Sequence, residues 1–454
     1  MPHSSIVHDL RSAHSADALL TGVPLPTLLY FALPIILGNI FQQLYSIVDA
    51  IVVGNFLGDL PLSGISVASP IVDVANALVI GGTIGVGVLC AHYCGAGEGE
   101  RLRCMNATAL LGGGALTLLI ALCGIFFSTP LLRAQGTEEA VCREAAVYLQ
   151  LVFAGLLFCF LYNYYAAMLR SCGNSRTPFL ILLLSSTLHA LLDVLFVGVF
   201  GWGIRGVAFS TVLCQALAAA ACILYAQRRC PPLLLRPANL RFDRQMARLV
   251  LSYAWAAALQ QAVVCIGRLL VQGMLTPLGT STVTGYNMSL RTEQFLFCFS
   301  QGISAAMVVC LSQNLGHGDR PRARRFFRIS VLVELALIAL LGTVCFLFPA
   351  RIVGLFSDNA DVIAAGAQYT GAMAYLYVFA YLGEVIQGFF RGLGRLRLTM
   401  VASLLQVLLR VVLSYLLIPV WGMYGICAAV VSGWVLLVGI EGVYAVRKSS
   451  ALAA

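Results

Sequence analysis

The sequence predicts an all-α membrane protein that crosses the bilayer twelve times, and its composition gives the first reason. Of 454 residues, 60% are hydrophobic and 10% are charged, and the mean hydropathy is +0.91. Soluble domains carry about 25% charged residues, so a water-soluble chain is excluded. The other two reasons are the length of the hydrophobic runs and the uneven placement of basic residues between them.

Hydrophobic runs bounded by glycine, proline or charged residues have the length of membrane-spanning helices. A span needs about 20 apolar residues, whereas a barrel strand needs ~9–11 residues of alternating polarity. The runs are longer than such strands and do not alternate. The predicted helices lie near residues 26–53, 62–94, 105–127, 141–168, 178–200, 204–227, 247–275, 283–313, 327–348, 363–390, 398–419 and 423–446.

Basic residues predict the orientation, because Lys and Arg stay on the cytoplasmic side when a helix inserts. Most of the 28 basic residues lie at the termini or in every second connection. The opposite connections hold only Arg133, Arg143, Arg205 and Arg351. We therefore expect both termini in the cytoplasm of a cell with this chain in its inner (plasma) membrane. The net charge of +9 then reflects topology, and no nucleic-acid partner is expected.

The two halves of the chain repeat each other. Leu57-Gly58 recurs as Leu278-Gly279 and Gly64 as Gly285, each 221 residues later. Each half holds six predicted spans, an even number, so both halves enter the membrane in the same sense. This is the parallel repeat of transporters, in which the substrate path lies between the two halves. The predicted segments are an N-terminal segment 1–24, a first lobe 25–227, a cytoplasmic linker 228–246, a second lobe 247–446 and a tail 447–454.

Ionisable residues are rare inside the predicted spans, where each costs roughly 2.5–3.5 kcal/mol at the helix centre. Tyr45 and Asp49 are four residues apart, as are His189 and Asp193, so each acid shares a helix face with a polar side chain one turn earlier. A carboxyl group shielded from water can serve as a proton carrier in a transporter. A structural role in a helix cap or an ion pair is the alternative.

The second lobe has its own polar residues. Tyr377, Tyr381 and Glu384 follow each other at helical spacing in the tenth span. Arg268 in the seventh span needs a carboxylate or an aqueous cavity, and Glu293 and Glu384 are both open as partners. Three further acids also fall in hydrophobic segments, where a nearby membrane interface could solvate them: Asp73, Glu334 and Glu441.

The sequence offers little support for an enzyme, a nucleotide-binding site or a metal site. The chain contains no GxxxxGK[ST] phosphate-binding motif, and no nucleophile set or paired-carboxylate motif is visible. Its 15 cysteines are odd in number and form no CxxC pair, so neither disulfides nor a metal site is expected. We therefore expect a protein that is not an enzyme and needs no cofactor.

Several stretches of the sequence form a recognisable set. They are Leu44–Asp49, Tyr93–Gly97, Leu169–Pro178 and Gln313–Gly318, together with the duplicated Trp-Gly-x-x-Gly at Trp202 and Trp421. As a set they resemble the motifs of the MATE (multidrug and toxic compound extrusion) transporters, and the resemblance covers roughly residues 25–446.

This resemblance implies two six-helix lobes around a V-shaped central cavity, and export of drugs in exchange for H+ or Na+. The motifs are most similar to the DinF-like branch, which implies that Asp49, Tyr45, Asp193, Asn163 and Thr211 couple the ion. The chain departs from that branch at Val194, where proline is common, and at His189, where asparagine is common. His189 is also predicted to take part in ion coupling as a member of a proton relay, and a hydrogen-bonded packing histidine is the alternative. The NorM-like branch uses an acid in the seventh span, where this chain has Arg268, so H+ is expected and Na+ is the alternative.

The sequence hypothesis is thus a monomeric antiporter in the lipid bilayer that exports lipophilic cationic drugs or toxins by alternating access. Aromatic faces attract such cations. The alternative is a lipid-linked oligosaccharide flippase, which would need several cations for a pyrophosphate; the spans offer Arg268, Arg291 and Arg410. Residues predicted to line the substrate cavity are Tyr162, Tyr165, Gln260, Arg268, Glu293, Tyr377, Tyr381 and Glu384.

Overall fold

The computed structural model describes residues 18–234, 242–275 and 279–447, and no strand occurs within these ranges. Eleven helices are long and apolar enough to cross a membrane, and one bent pair raises the number to twelve. The predicted all-α class is confirmed. The helices are α1 Pro24–Leu57, α2 Asp59–Ala96, α3 Gly99–Ala134, α4 Glu139–Ser171, α5 Arg176–Asp193, α6 Gly203–Arg229, α7 Arg244–Gly273, α8 Thr280–His317, α9 Arg320–Leu347, α10 Pro349–Val353, α11 Ala360–Met373, α12 Tyr377–Gly392, α13 Leu396–Trp421 and α14 Met423–Arg447.

The chain forms two compact units. The first comprises residues 33–262 and the end of α8 at 312–318. Its core is the packing of α2, α3 and α6 on α4, and the buried Tyr164 hydroxyl donates a 2.7 Å hydrogen bond to Asn106 Oδ1 there. The second unit holds residues 263–311, most of the chain after 318 and a short piece of α1. Its core is rich in buried tyrosines, including Tyr286 and Tyr369.

The internal repeat is visible in the backbone. Glycines adopt positive φ where an L side chain would be strained, typically at helix ends. Gly97 ends α2 with φ +69°, and its repeat equivalent Gly318 ends α8 with φ +89°. The other matching pairs with positive φ are Gly58 and Gly279, Gly173 and Gly394, and Gly203 and Gly422.

The fifth span changes its winding partway. It continues from α5 into a π-helical segment, Val194–Val199, where the Phe200 N–H donates to the Leu195 carbonyl at 2.9 Å. Phe196 within this segment stacks on Trp202 beyond it, with ring centroids 4.9 Å apart. Such wide turns often mark functional sites, and this one begins directly after Asp193.

The tenth span differs from the continuous helix predicted over 363–390. Helices α11 and α12 meet at an angle of 58°. Between them the N–H groups of Val378 and Phe379 donate to the carbonyls three residues earlier, so the chain tightens and the α-helical ladder is interrupted. The sequence contains no proline at this break, so no local signal in it predicts the bend.

Two glycines one helical turn apart bring α2 into close contact with α7 within the first unit. A methyl group on Gly81 would lie 2.6 Å from the Ala257 carbonyl oxygen, and one on Gly85 would collide with the Tyr253 carbonyl. Gly82, turned by about 100° from Gly81 around the axis of α2, has nothing within 4 Å. This spacing is the small-residue pattern that lets membrane helices approach closely.

We expect Gly85→Ala to destabilise the protein by about 1–3 kcal/mol, the usual cost of overpacking, because the backbone of α7 cannot yield as a side chain could. Gly82→Ala is the matched control and should leave stability unchanged. Thermal unfolding of the detergent-solubilised protein measures the difference. Equal unfolding temperatures for the two variants would contradict the close contact.

Reporter fusions test the expected orientation, in which both termini are cytoplasmic and α11 with α12 makes one span. Alkaline phosphatase, which is active only outside the cytoplasm, should be active when fused after Gly136 and inactive when fused after Leu234 or at the C-terminus. An active C-terminal fusion alongside an inactive Leu234 fusion would show an odd number of spans in the second half.

Candidate functional site

Polar side chains from three helices of the first unit meet around His189. The imidazole is 4% exposed, and Asp193, one turn later on α5, is 0% exposed. Tyr45 on α1 places its hydroxyl 2.5 Å from His189 Nδ1. Thr211 on α6 lies 2.9 Å from His189 Nε2. The structure therefore brings together four of the residues predicted to couple an ion.

The hydroxyl partners define the hydrogen bonds of the imidazole. The Thr211 hydroxyl donates to the Val207 carbonyl at 2.8 Å, so Thr211 Oγ1 is left to accept from His189 Nε2–H. In the neutral ring, Nδ1 then carries the lone pair and accepts from the Tyr45 hydroxyl. In the charged ring, Nδ1 also carries a proton and faces Asp193 Oδ2 at 2.8 Å.

The Asp193 carboxylate has two different oxygens. Oδ1 accepts a short hydrogen bond from the Ser210 hydroxyl on α6. Oδ2 lies within ion-pair distance of His189 but has no aligned hydrogen-bond donor. Oδ2 is therefore the oxygen at which a proton can bind without displacing an existing hydrogen bond. The sequence did not single out Ser210, although it directly precedes Thr211.

The two other predicted coupling residues are Asp49 and Asn163, and only the Asn163 side chain belongs to the described structure. The backbone of Asp49 belongs to α1, one turn after Tyr45, but its side chain lies outside the described part of the structure. Asn163 lies on α4 and donates to the Cys159 carbonyl at 2.9 Å. The Cys159 thiol in turn lies 3.5 Å from Asn76 Oδ1. Asn163 thus belongs to a separate polar contact between α4 and α2.

The second unit contains a group of charged and phenolic side chains around Glu293 on α8. The Tyr377 and Tyr369 hydroxyls lie 3.3 and 3.5 Å from Glu293 Oε2. Arg268 and Arg410 are close enough for their charges to interact with this carboxylate. The charge of Arg268 thus acts on Glu293, one of the two acids that the sequence left open as its partner.

Glu384, the other possible partner, is paired elsewhere. Its Oε1 lies 2.7 Å from Arg391 Nη2, and both side chains are largely buried. Arg391 is two turns later on the same helix, α12. The pair holds the carboxylate in place within the second unit.

The remaining residues predicted to line a substrate cavity lie mostly inside the cores of the two units. In the first unit Tyr165 and Gln260 are buried and Tyr162 is half-buried. In the second, Tyr377 and Tyr381 are buried, and the Tyr381 hydroxyl donates to the Leu296 carbonyl at 2.7 Å.

Two buried acids have no hydrogen-bond partner in the described structure. Glu334 on α9 and Glu441 on α14 are each 0% exposed, and none of their carboxyl oxygens is hydrogen-bonded. The expectation that a nearby interface solvates them is wrong for the folded chain, because neighbouring helices cover both. Sequence position alone could not reveal this, since it gives depth along a helix but not which helices pack around it.

Comparison with known proteins agrees with the fold and with the repeat. The MatE family model matches residues 34–195 and 256–416, one stretch in each half. The protein superposes on a MOP superfamily transporter from Pyrococcus furiosus with a TM-score of 0.89, at 19% identity over 96% of this chain and 98% of that one. At this identity the likeness concerns the fold alone.

Curated relatives extend over most of both chains. The probable multidrug resistance protein YpnP of Bacillus subtilis is 27% identical over 85% of this chain and 86% of its own length. The FAD transporter of Shewanella oneidensis is 26% identical over 74% of this chain and 75% of its own length. The chain belongs to the MatE family and is therefore a multi-pass membrane transporter and not an enzyme.

Proposed function

We propose that this protein is a plasma-membrane antiporter that exports lipophilic cationic compounds in exchange for protons. The observation that carries the proposal is the buried cluster of Tyr45, His189, Asp193, Ser210 and Thr211. A carboxylate and an imidazole in direct contact, shielded from water, can bind and release a proton together. The name of the relative YpnP, a probable multidrug resistance protein, supports the class of substrate.

Proton binding at Asp193 changes contacts between helices, which is what coupling requires. A proton on Oδ2 removes the negative charge that attracts a charged His189 at 2.8 Å. His189 in turn contacts Tyr45 on α1 and Thr211 on α6. The proton therefore alters how α5 packs against α1 and α6, and it can favour one conformational state over another. A ligand bound equally by both states would shift nothing.

Alternating access, monomeric action and the placement of the chain in the DinF-like branch remain predictions from the sequence. Proton coupling is preferred to Na+ coupling because of the direct partners of Asp193. The Ser210 hydroxyl is a hydrogen-bond donor, and the His189 ring can be one. A Na+ ion needs several oxygen ligands in place of such donors.

A second candidate substrate is an anion that carries a diphosphate. Arg268 and Arg410 lie near a single acid, Glu293, so positive charge exceeds negative charge around α8 of the second unit. The relative named FAD transporter agrees with this reading. A lipid-linked oligosaccharide also carries a diphosphate, so the flippase alternative depends on the same arginines.

Asp193→Asn should abolish transport driven by a pH gradient, because an amide cannot bind and release the proton. Purified protein in proteoliposomes, with ethidium as the transported lipophilic cation, measures this under separate pH and Na+ gradients. The wild type should respond to the pH gradient, and the variant should match protein-free liposomes. Glu98→Gln, which changes an exposed acid beside Arg101, is the control and should behave as the wild type.

Three outcomes of that experiment would decide against the proposal. If the Asp193→Asn variant still transports in response to the pH gradient, Asp193 is not needed for proton coupling. Wild-type transport driven by a Na+ gradient alone would show that the coupling ion is Na+ and not H+. Transport of FAD in place of ethidium would favour the diphosphate substrate. Elution of each variant as a single species in size-exclusion chromatography shows that it is folded.

His189→Asn should lower the rate of transport driven by a pH gradient without abolishing it, because the imidazole is the ion-pair partner of the Asp193 carboxylate. The amide can still hydrogen-bond to Tyr45 or Thr211, but it cannot share a proton with Asp193. Initial rates under the pH gradient measure the effect. His317→Asn, at the exposed end of α8, is the matched control. An unchanged rate in His189→Asn would assign proton binding to the carboxyl alone.

A further inference from the structure

Three thiol groups of the first unit converge at the ends of two helices. Cys90 and Cys94 are one turn apart on α2, and Cys172 directly follows the last residue of α4. Their sulfur atoms all lie within 4.8 Å of one another, and the sulfurs of Cys94 and Cys172 are 3.2 Å apart. Cys90 is buried, whereas Cys94 and Cys172 are half-buried. This group, the thiol cluster, takes no part in the proton site.

The spacing of the sulfurs suits one metal ion. With metal–sulfur bonds of about 2.3 Å, three thiolates around a single ion lie roughly 4 Å apart. The separations in the thiol cluster are compatible with that value, since one is 3.2 Å and none exceeds 4.8 Å. No histidine or carboxylate belongs to the group, and an all-thiolate ligand set selects soft metal ions over hard ones.

The position of the thiol cluster favours positive charge. Cys94 lies two residues before the end of α2, and Cys172 caps α4. Helix C-termini carry partial negative charge and stabilise cations. The half-buried thiols also leave a route from the surface, which the sequence-based orientation places on the cytoplasmic side.

We propose that Cys90, Cys94 and Cys172 form a binding site for one soft, thiophilic d10 metal ion such as Cu(I). Binding forms three metal–sulfur bonds and releases three thiol protons to the solvent, so the ion's charge is offset by the thiolates it creates. No change in oxidation state is involved. The site is independent of the proton cluster, and its failure would leave the proposed antiport intact.

A bound ion would act as a clamp at a three-helix junction. Ser171, next to Cys172, accepts a 2.6 Å hydrogen bond from the Gln313 side chain at the end of α8. Gly95, next to Cys94, contacts the Gln313 backbone so closely that a methyl group could not fit. An ion that ties α2 to α4 therefore also fixes the surface on which the end of α8 rests.

Cadmium is a suitable probe, because Cd2+ is a soft d10 ion that does not oxidise thiols. Titration of the reduced full-length protein in detergent should show thiolate-to-cadmium absorption in the ultraviolet that saturates at one tight ion per chain. Proton release in weakly buffered solution should accompany it. Cys94→Ser and Cys172→Ser should each weaken this binding by more than the roughly 10–100-fold that loss of an outer-shell partner costs. Cys345→Ser, a buried thiol of the second unit, is the control and should bind as the wild type.

A second measurement needs no variant and covers the case in which one fails to fold. Cd2+ should protect Cys94 and Cys172 of the wild type from alkylation by N-ethylmaleimide, as read by mass spectrometry of the peptides. The proposal is overturned by unchanged cadmium binding in both variants, or by equal alkylation with and without Cd2+. A Cys94–Cys172 disulfide in protein isolated under non-reducing conditions would also overturn it, because such a bond consumes two of the three ligands.

Discussion

The cost of placing a polar group in hydrocarbon governs this structure. Water is absent from the bilayer core, so each polar side chain there needs a partner inside the protein or an aqueous cavity. Glu334 and Glu441 aside, the polar residues described above meet this requirement in two ways. In the first unit hydroxyl groups surround one acid and one imidazole, as at Ser210 and Thr211. In the second unit the charges of arginines act on carboxylates, as in Glu293 with Arg268 and Glu384 with Arg391.

This difference shows how far the two halves have diverged since they were duplicated. Their backbones still share positive-φ glycines at equivalent helix ends. Their polar groups do not match, because Asn163 in the first half stands where Glu384 stands in the second. The Asn163 amide is neutral and hydrogen-bonds to its own helix, whereas the Glu384 carboxylate is paired with Arg391. Equivalent backbone positions therefore carry different charges in the two halves. The fold repeats, whereas the chemistry is specific to each half.

The sequence predicted what depends on local periodicity. Long apolar runs fixed the helices, and the four-residue spacing of His189 and Asp193 placed both on one helix face. Tertiary packing decided the rest. The break between α11 and α12 leaves no proline signal, and the burial of Glu334 depends on helices distant in sequence. The thiol cluster joins Cys172 to cysteines about half a lobe away, so a search for CxxC pairs could not find it. The spacing of residues in the sequence predicts which side chains share a face of one helix, but it does not predict which side chains of different helices are in contact.

The π-helical segment after Asp193 has a consequence for comparing this chain with its relatives. Each wide turn holds one residue more than an α-helical turn covering the same rise. Loss of a single residue from Val194–Val199 would therefore restore regular α-helical winding while the residues beyond the segment keep their faces of the helix. An alignment that places no gap here against a relative with regular winding would pair the wrong residues beyond the segment, although every residue up to Asp193 is correctly matched.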